Sequence, residues 1–438
     1  MKVGFIGLGC EKNMINTEQM IYRVKEAGHQ IVSDADAAEI IVINTCGFIE
    51  SAKTEAIETI MEMAELKKEG KIKKIVVCGC LAERYKDSIA DEIYEADAFV
   101  GVGSFQDIVE VIEKLSKEDK ICRFSAPEMQ DLEGKRIRTG QPATAYLKLA
   151  DGCNNCCSYC AIPGIRGALH SRSMEDIITE ARELAADGVK ELILIAQDTT
   201  VYGMDLYGEP KLCDLLEQLV GIDGVQWIRL LYLYPDKVSD RLLDLMACEE
   251  KLIPYIEMPI QHSEQAVLSK MNRPGDRDSL LALIGKIRDR LPDAVLRTTL
   301  MVGFPGEGEE EFEGLVCFVK QAAFDKVGVF TYSPEEGTPA AQFEGQIDEA
   351  VKRRRAEIIE DVQSEIVYGK MERMVGREIT VLCEGFDRLA ECNFGRSYGE
   401  APDIDGKIFF TGKAAPGTFV KVRITELLDF DMIGEVVE

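Results

Sequence analysis

No stretch of the chain comes near the roughly 20 consecutive apolar residues that a membrane-spanning helix needs. The opening MKVGFIGLGC holds one Lys and an apolar run too short for a signal peptide, and Gly7 stands where a lipoprotein cleavage site would want Leu. A cytoplasmic protein whose chain opens on a strand is expected. Basic charge is also scarce: 51 Lys and Arg against 78 Asp and Glu leave a formal net charge of −27. Proteins that track phosphates along a duplex carry a basic face. Direct DNA binding is therefore not expected, and an acidic chain more naturally meets a basic partner. Acidity that serves solubility alone is the plainer alternative. Histidine is nearly absent, with 3 in 438 residues, which leaves little imidazole for acid–base work.

Cysteine is plentiful instead, at 14 residues. Without an export signal, that number points to metal or redox chemistry rather than disulfides. The densest run is DGCNNCCSYCAIPGIRG, in which Cys153, Cys157 and Cys160 are spaced C-x3-C-x2-C. Cys156 also falls within it, so the run can be divided into two C-x2-C pairs that abut. A zinc ribbon separates its pairs by roughly 15–20 residues and closes its shell with four ligands. A zinc-stabilised nucleic-acid-binding protein is thus the weaker reading. Three thiolates on a four-iron cluster leave one iron open, and chemistry can begin there.

The length allows three domains. From residue 1 to about 125, the strand-like runs KVGFIGLG, EIIVIN and KKIVVCG alternate with helical stretches, the pattern of a parallel α/β sheet. Ligands of such sheets gather beyond the carboxyl ends of the strands. Cys10, Cys46 and Cys80 each lie just past one of these ends, while Cys78 lies inside a strand run and reads as core. Small buried cysteines at strand ends are the ordinary alternative. Gly7-Leu8-Gly9 lacks the third glycine of a dinucleotide loop. Residues 126–142 are polar and irregular, a linker. From 143 to about 370, six strand-like runs (TAYLKLA, ELILIAQ, WIRLLYLY, IPYIEMPI, VLRTTLMVGF, VGVFTYS) interleave with helical stretches. They fit a partial, TIM-like (β/α)6 barrel with its chemistry at the carboxyl ends of the strands. The Cys153–Cys160 loop follows the first of them. The basic run Lys352 to Arg355 reads as the solvated face of a charged helix leaving the barrel. Residues 371–438 change to the short strands REITVLCEGFD, GKIFFTG and GTFVKVRITEL, a small antiparallel β-barrel. From Arg373 onward it carries eight Lys and Arg against twelve Asp and Glu, which argues against RNA and for a basic protein.

The loop CNNCCSYCAIPGIRG resembles the cluster loop of radical S-adenosylmethionine (SAM) enzymes. The three-domain order with Cys10, Cys46 and Cys80 resembles the methylthiotransferases, which join an N-terminal cluster domain, a radical SAM barrel and a terminal TRAM domain. The resemblance covers nearly the whole chain. Gln197-Asp198-Thr199-Thr200 with Tyr202-Gly203, Gln261-His262, FTYSPEEGTPAA, GRSYGEAPDIDG, the ending DFDMIGEVV and the opening GLGCEKN resemble the branch that modifies a ribosomal protein. The transfer-RNA branch tends to an Asn-rich stretch and Gln-Ser-Gly at the first two places. Cys156 departs from the family, which usually has a basic residue there.

The resemblance implies a transferase that adds a methylthio group to the β-carbon of an aspartate in small-subunit ribosomal protein twelve, a basic protein of the decoding centre. A tRNA (adenosine) methylthiotransferase with the same clusters is the alternative. It implies a 4Fe–4S cluster on Cys153, Cys157 and Cys160 that binds SAM, and an auxiliary 4Fe–4S cluster on Cys10, Cys46 and Cys80 that carries the sulfur. No side-chain base removes a proton from an unactivated C–H bond, so a 5′-deoxyadenosyl radical would take the hydrogen. A reduced donor such as flavodoxin or ferredoxin is implied, with a sulfur donor of unspecified kind. Gln197, Asp198, Gln261, Arg297 and Gly303, at or near strand ends, are candidates for the SAM or substrate pocket. His262 is expected to bond a carbonyl inside the barrel. Gly9, Gly47, Gly79 and Gly152 flank cluster cysteines and would admit backbone amides to the sulfurs, unless they serve as ordinary turns.

Overall fold

The computed structural model describes residues 1–115, 117–118 and 120–437. Its first sheet is parallel throughout, with β1 (Lys2–Gly7), β2 (Gln30–Val32), β3 (Ile40–Thr45), β4 (Lys74–Gly79), β5 (Ala98–Val100) and β6 (Ile121–Arg123) in the order β2-β1-β3-β4-β5-β6. β3 is buried along its whole length and β4 at all but its first residue. Strands covered on both faces show up as apolar runs. β2, β5 and β6 are three residues each, too short to show a period in the sequence. Because β1, β3 and β4 are neighbours, the residues after them share one edge.

The second sheet begins at β7 (Thr144–Lys148). A short antiparallel pair, β8 (Ala150–Asp151) and β9 (His170–Ser171), brackets the Cys153–Cys160 loop. β10 (Glu191–Ile195), β11 (Trp227–Leu230), β12 (Leu252–Glu257), β13 (Val295–Val302) and β14 (Lys326–Thr331) continue from β7 in sequence order, all parallel. The six strand-like runs of the sequence are these six strands. Among the described residues β7 and β14 form no ladder, so the barrel is an open arc. Its inner face is filled from two other regions. Ile15 arrives on the N-terminal helix Glu11–Glu26, and Ala401 arrives on the segment after the first terminal hairpin; both belong to one buried apolar cluster with Tyr146, Ile193, Ile195, Leu231 and Tyr255.

The terminal strands β15 (Glu378–Asp387), β16 (Cys392–Arg396), β17 (Ile408–Thr411), β18 (Phe419–Leu428) and β19 (Asp431–Val436) close a barrel in the order β15-β16-β17-β19-β18. Its pairs are antiparallel except β17 with β19, which is parallel. The segment GRSYGEAPDIDG runs from this barrel into the amino-end mouth of the central one. Arg396 donates to Glu191 at 2.7 Å, the Tyr398 carbonyl accepts from Arg229 at 2.9 Å, and Asp405 accepts from Tyr255 at 2.6 Å and from Arg297 at 2.8 Å.

Two further clasps join the domains. In the connecting stretch, Arg136 pairs with Glu18 of the N-terminal domain and, at 2.6 Å, with Glu180 of the barrel. Glu335 of the barrel takes Arg84 at 3.0 Å and Lys53 at 3.2 Å. The helix Glu349–Met371 does not leave the barrel; it lies on β14 with Ile359, Gln363 and Val367 turned inward. Its basic run is accordingly split, which corrects the expectation of a solvated face. Lys352 and Arg355, three apart and so on one side, are buried: Lys352 donates to the Tyr332 carbonyl at 2.8 Å and Arg355 pairs with Glu307 at 2.8 Å. Among the described residues no helix is long and apolar enough to cross a membrane.

Glu191 is fully buried between Arg229 and Arg396. Replacing Arg396 by Met leaves that carboxylate under-compensated and is expected to cost about 3 kcal/mol in urea unfolding. Adding Glu191→Met is expected to recover part of the loss. A single-variant loss below about 1 kcal/mol would show that this pair does not hold the terminal segment in the barrel mouth.

Candidate active site

Cys10, Cys46, Cys80, Cys153, Cys157 and Cys160 all line one cavity of about 330 Å³. The N-terminal three are brought together by the loops that follow β1, β3 and β4. Cys10 is the N-cap of the helix Glu11–Glu26, and Cys80 opens the helix Cys80–Arg84. Gly9 has φ +87°, and a Cβ there would lie 2.8 Å from the Cys46 Cβ, so only glycine lets these loops close on each other. Asn13 stitches them: its amide donates to the Leu8 carbonyl at 2.8 Å and to the Thr45 carbonyl at 3.1 Å. Cys78 is fully buried in the sheet core and does not reach the cavity.

The other three thiols sit on the loop after β8. Asp151 anchors its start, accepting from Gly152 N–H at 3.0 Å, Lys148 at 3.1 Å and Arg166 at 2.6 Å. Gly152 has φ +67°, and a Cβ there would lie 2.0 Å from the Ala168 carbonyl oxygen. Ser158 fastens the middle of the loop, donating through N–H to Met271 O at 3.0 Å and through its hydroxyl to Lys270 O at 2.7 Å. Cys156 is exposed, faces the Asn154 carbonyl at 3.6 Å and is not part of the cavity wall.

Burial pushes the Cys80 thiol up to about 11, against the pull of Arg166, and the Cys160 thiol up to about 12. The Cys46 and Cys153 thiols are raised for the same reason. Thiols so placed become thiolates when a metal centre takes them. Arg273 lies against the second set, its Nη1 3.7 Å from the Cys157 sulfur and its Cζ 4.2 Å from the Tyr234 ring centroid. Among the described residues no three His, Cys, Asp or Glu side chains close on one point as ligands of a single ion. Six soft thiols spread around a cavity, with buried guanidiniums beside them, match the donor set of iron–sulfur clusters.

The remaining candidates divide. Gln197 and Gln261 line the cavity. Gln261 has φ +71°, held by its N–H to Thr299 O at 2.9 Å and its carbonyl to Met301 N–H at 2.8 Å. Asp198 is buried behind the wall and accepts from Asn155 at 2.6 Å and Lys237 at 2.8 Å, bracing the cysteine loop. Arg297 is committed to Asp405 at the other end of the barrel, and Gly303 backs onto Lys352; neither lines the cavity. His262 accepts a backbone N–H from Glu264 at 3.0 Å through Nδ1 instead of bonding a carbonyl. Burial and the nearby Arg355 push its pKa down to about 3, so it stays neutral. The wall also contains Lys12, Tyr159, Arg166, Tyr232, Tyr234 and Arg273, none of them singled out by the sequence. Lys12 and Arg166 stand in the quoted runs GLGCEKN and PGIRG, and proximity to the cysteines was the available signal.

The Radical SAM superfamily matches residues 147–319, the TRAM domain matches residues 375–437, and the Uncharacterized protein family UPF0004 matches residues 2–101. The chain is 45% identical over 447 residues to the ribosomal protein uS12 methylthiotransferase RimO of Acetivibrio thermocellus, covering 100% of this chain and 98% of that one. It is 47% identical over 436 residues to the protein of the same name from Thermoanaerobacter sp. (strain X514), covering 99% of each. Among solved structures, the radical S-adenosylmethionine methyltransferase TsrM from Kitasatospora setae shares the fold, with TM-score 0.59 and 14% identity over 77% of this chain and 76% of that one. Identity at this level along the full length, over a fold of this kind, means that the chain belongs to the RimO family of radical SAM methylthiotransferases.

Proposed function

We propose that this chain transfers a methylthio group to the β-carbon of an aspartate in the small-subunit ribosomal protein uS12. The observation that carries the reading is the convergence of two cysteine triads, from two domains, on one cavity. Cys153, Cys157 and Cys160 would hold the 4Fe–4S cluster that binds SAM, and Cys10, Cys46 and Cys80 the auxiliary one. When bound, these groups supply the one-electron chemistry that activates a C–H bond and the sulfur that replaces the hydrogen.

The chain's own residues make the setting. Tyr159, Tyr232, Tyr234, Phe48 and Ile162 give the cavity aromatic and apolar walls, which exclude water from a reactive carbon centre. Arg273 and Arg166 set positive charge beside the two triads, where it would offset the negative charge of thiolate-bound clusters. Asp198 and Lys237 hold Asn155 and so fix the loop between Cys153 and Cys157. Gln197 and Gln261 are left to contact SAM or the substrate. Arg297 and Gly303 have structural roles in this reading. No side-chain base is required.

A net charge of −27 suits a basic ribosomal protein better than a transfer RNA. The same reading takes the protein as cytoplasmic and served by a reduced donor such as flavodoxin or ferredoxin.

Mass spectrometry of uS12 from cells without this gene is expected to show the aspartate unmodified, and expression of the gene is expected to restore the methylthio mass. Methylthio adenosine in transfer RNA, with uS12 unchanged, would instead favour the RNA substrate. Anaerobically reconstituted protein is expected to hold about eight irons per chain. Cys46→Ala is expected to fall to about four while still cleaving SAM, and Cys156→Ala is expected to match the wild type. Full iron in Cys46→Ala would remove Cys46 from the auxiliary set.

A further inference from the structure

Lys12 is 2% exposed and lines the cavity, two residues from Cys10. Its ammonium stands 3.4 Å from the Tyr232 ring centroid. Among the described residues no carboxylate forms an ion pair with it, although two are close. Glu11 accepts the Tyr232 hydroxyl at 3.0 Å, and Glu257 accepts the Tyr232 backbone N–H. Tyr232 itself has φ +62°, an uncommon conformation for an aromatic residue. Its carbonyl also accepts from the Thr199 N–H at 3.0 Å and the Thr199 hydroxyl at 2.8 Å. The ring is therefore a fixed platform. Every polar group of Tyr232 is bonded, yet among the described residues the cation above its ring has no short-range partner but that π face, with the Glu257 carboxylate attracting it only from beyond ion-pair distance.

A buried ammonium without an anion is costly, and a π face compensates only part of the charge. Lys12 is also the second residue of the helix Glu11–Glu26, whose positive end disfavours a cation. Both facts point to an anion that arrives from outside the chain. We propose that Lys12 binds the side-chain carboxylate of the substrate aspartate, an inference that rests on the function proposed above. That carboxylate is one bond from the β-carbon. A cation beside Cys10 would therefore present the β-carbon to the auxiliary triad, and would select an acidic residue over its amide.

The test uses reconstituted holoenzyme and two synthetic uS12 loop peptides, one with the target aspartate and one with asparagine, followed by fluorescence anisotropy. The wild type is expected to prefer the aspartate peptide by about tenfold or more. Lys12→Gln is expected to lose the preference and Lys12→Arg to keep most of it, with iron content and SAM affinity equal in all three. A Lys12→Gln protein that still prefers aspartate overturns the proposal. So does one that loses iron or SAM affinity together with peptide binding, because Lys12 would then serve a cluster or the cofactor. A wild type that binds neither peptide overturns this proposal and the proposed substrate together.

Discussion

Arg166 joins the two halves of the site. It is 2% exposed, donates to Asp151 at 2.6 Å on the barrel side and to Asn13 at 2.9 Å on the N-terminal side, and lines the cavity between the two triads. Asp151 shapes the start of one cysteine loop through Gly152; Asn13 ties the other two loops through Leu8 and Thr45. One guanidinium thus fixes the relation of six thiols. The carboxylate opposite it is buried but held ionised, its pKa well below the usual range because Arg166 and Lys148 together outweigh the burial penalty. Burial pushes Lys148 down to about 8 even with Asp151 beside it. Such a network is strong when complete and costly when one member is missing.

The rest of the molecule maintains that relation. An open six-strand arc has an inner face that must be covered, and this one is covered at opposite ends by Ile15 and Ala401. The first comes with the helix that begins at Cys10, so filling the barrel also brings the N-terminal triad to the barrel's catalytic face. The second comes with the terminal segment whose Arg396 and Asp405 occupy the amino-end mouth. The run GRSYGEAPDIDG is therefore a structural plug of that mouth.

Much of this was legible in the chain. The six barrel strands are recognisable because strands buried on both faces read as apolar runs; Cys153, Cys157 and Cys160 stand out by their spacing, and Cys10, Cys46 and Cys80 because each follows a strand end. What escaped was decided by distant partners. Arg297 lies in a strand run rich enough to suggest a site, but its partner Asp405 is 108 positions away. Lys352 and Arg355 look solvated until β14 and Glu307 are placed against them. Gly303 sits in a suggestive turn whose neighbour is a lysine side chain from another helix. Lys12 carries no local signal beyond its nearness to Cys10; only the fold shows that its charge is buried and, among the described residues, held in no ion pair.

Both triads face one space. Pulsed electron paramagnetic resonance on the reduced holoenzyme tests it most directly, because two paramagnetic clusters in one cavity must couple magnetically. A coupled signal is expected from the wild type, reverting to a single uncoupled cluster signal in Cys10→Ala. Two cluster signals that relax independently in the wild type would contradict it.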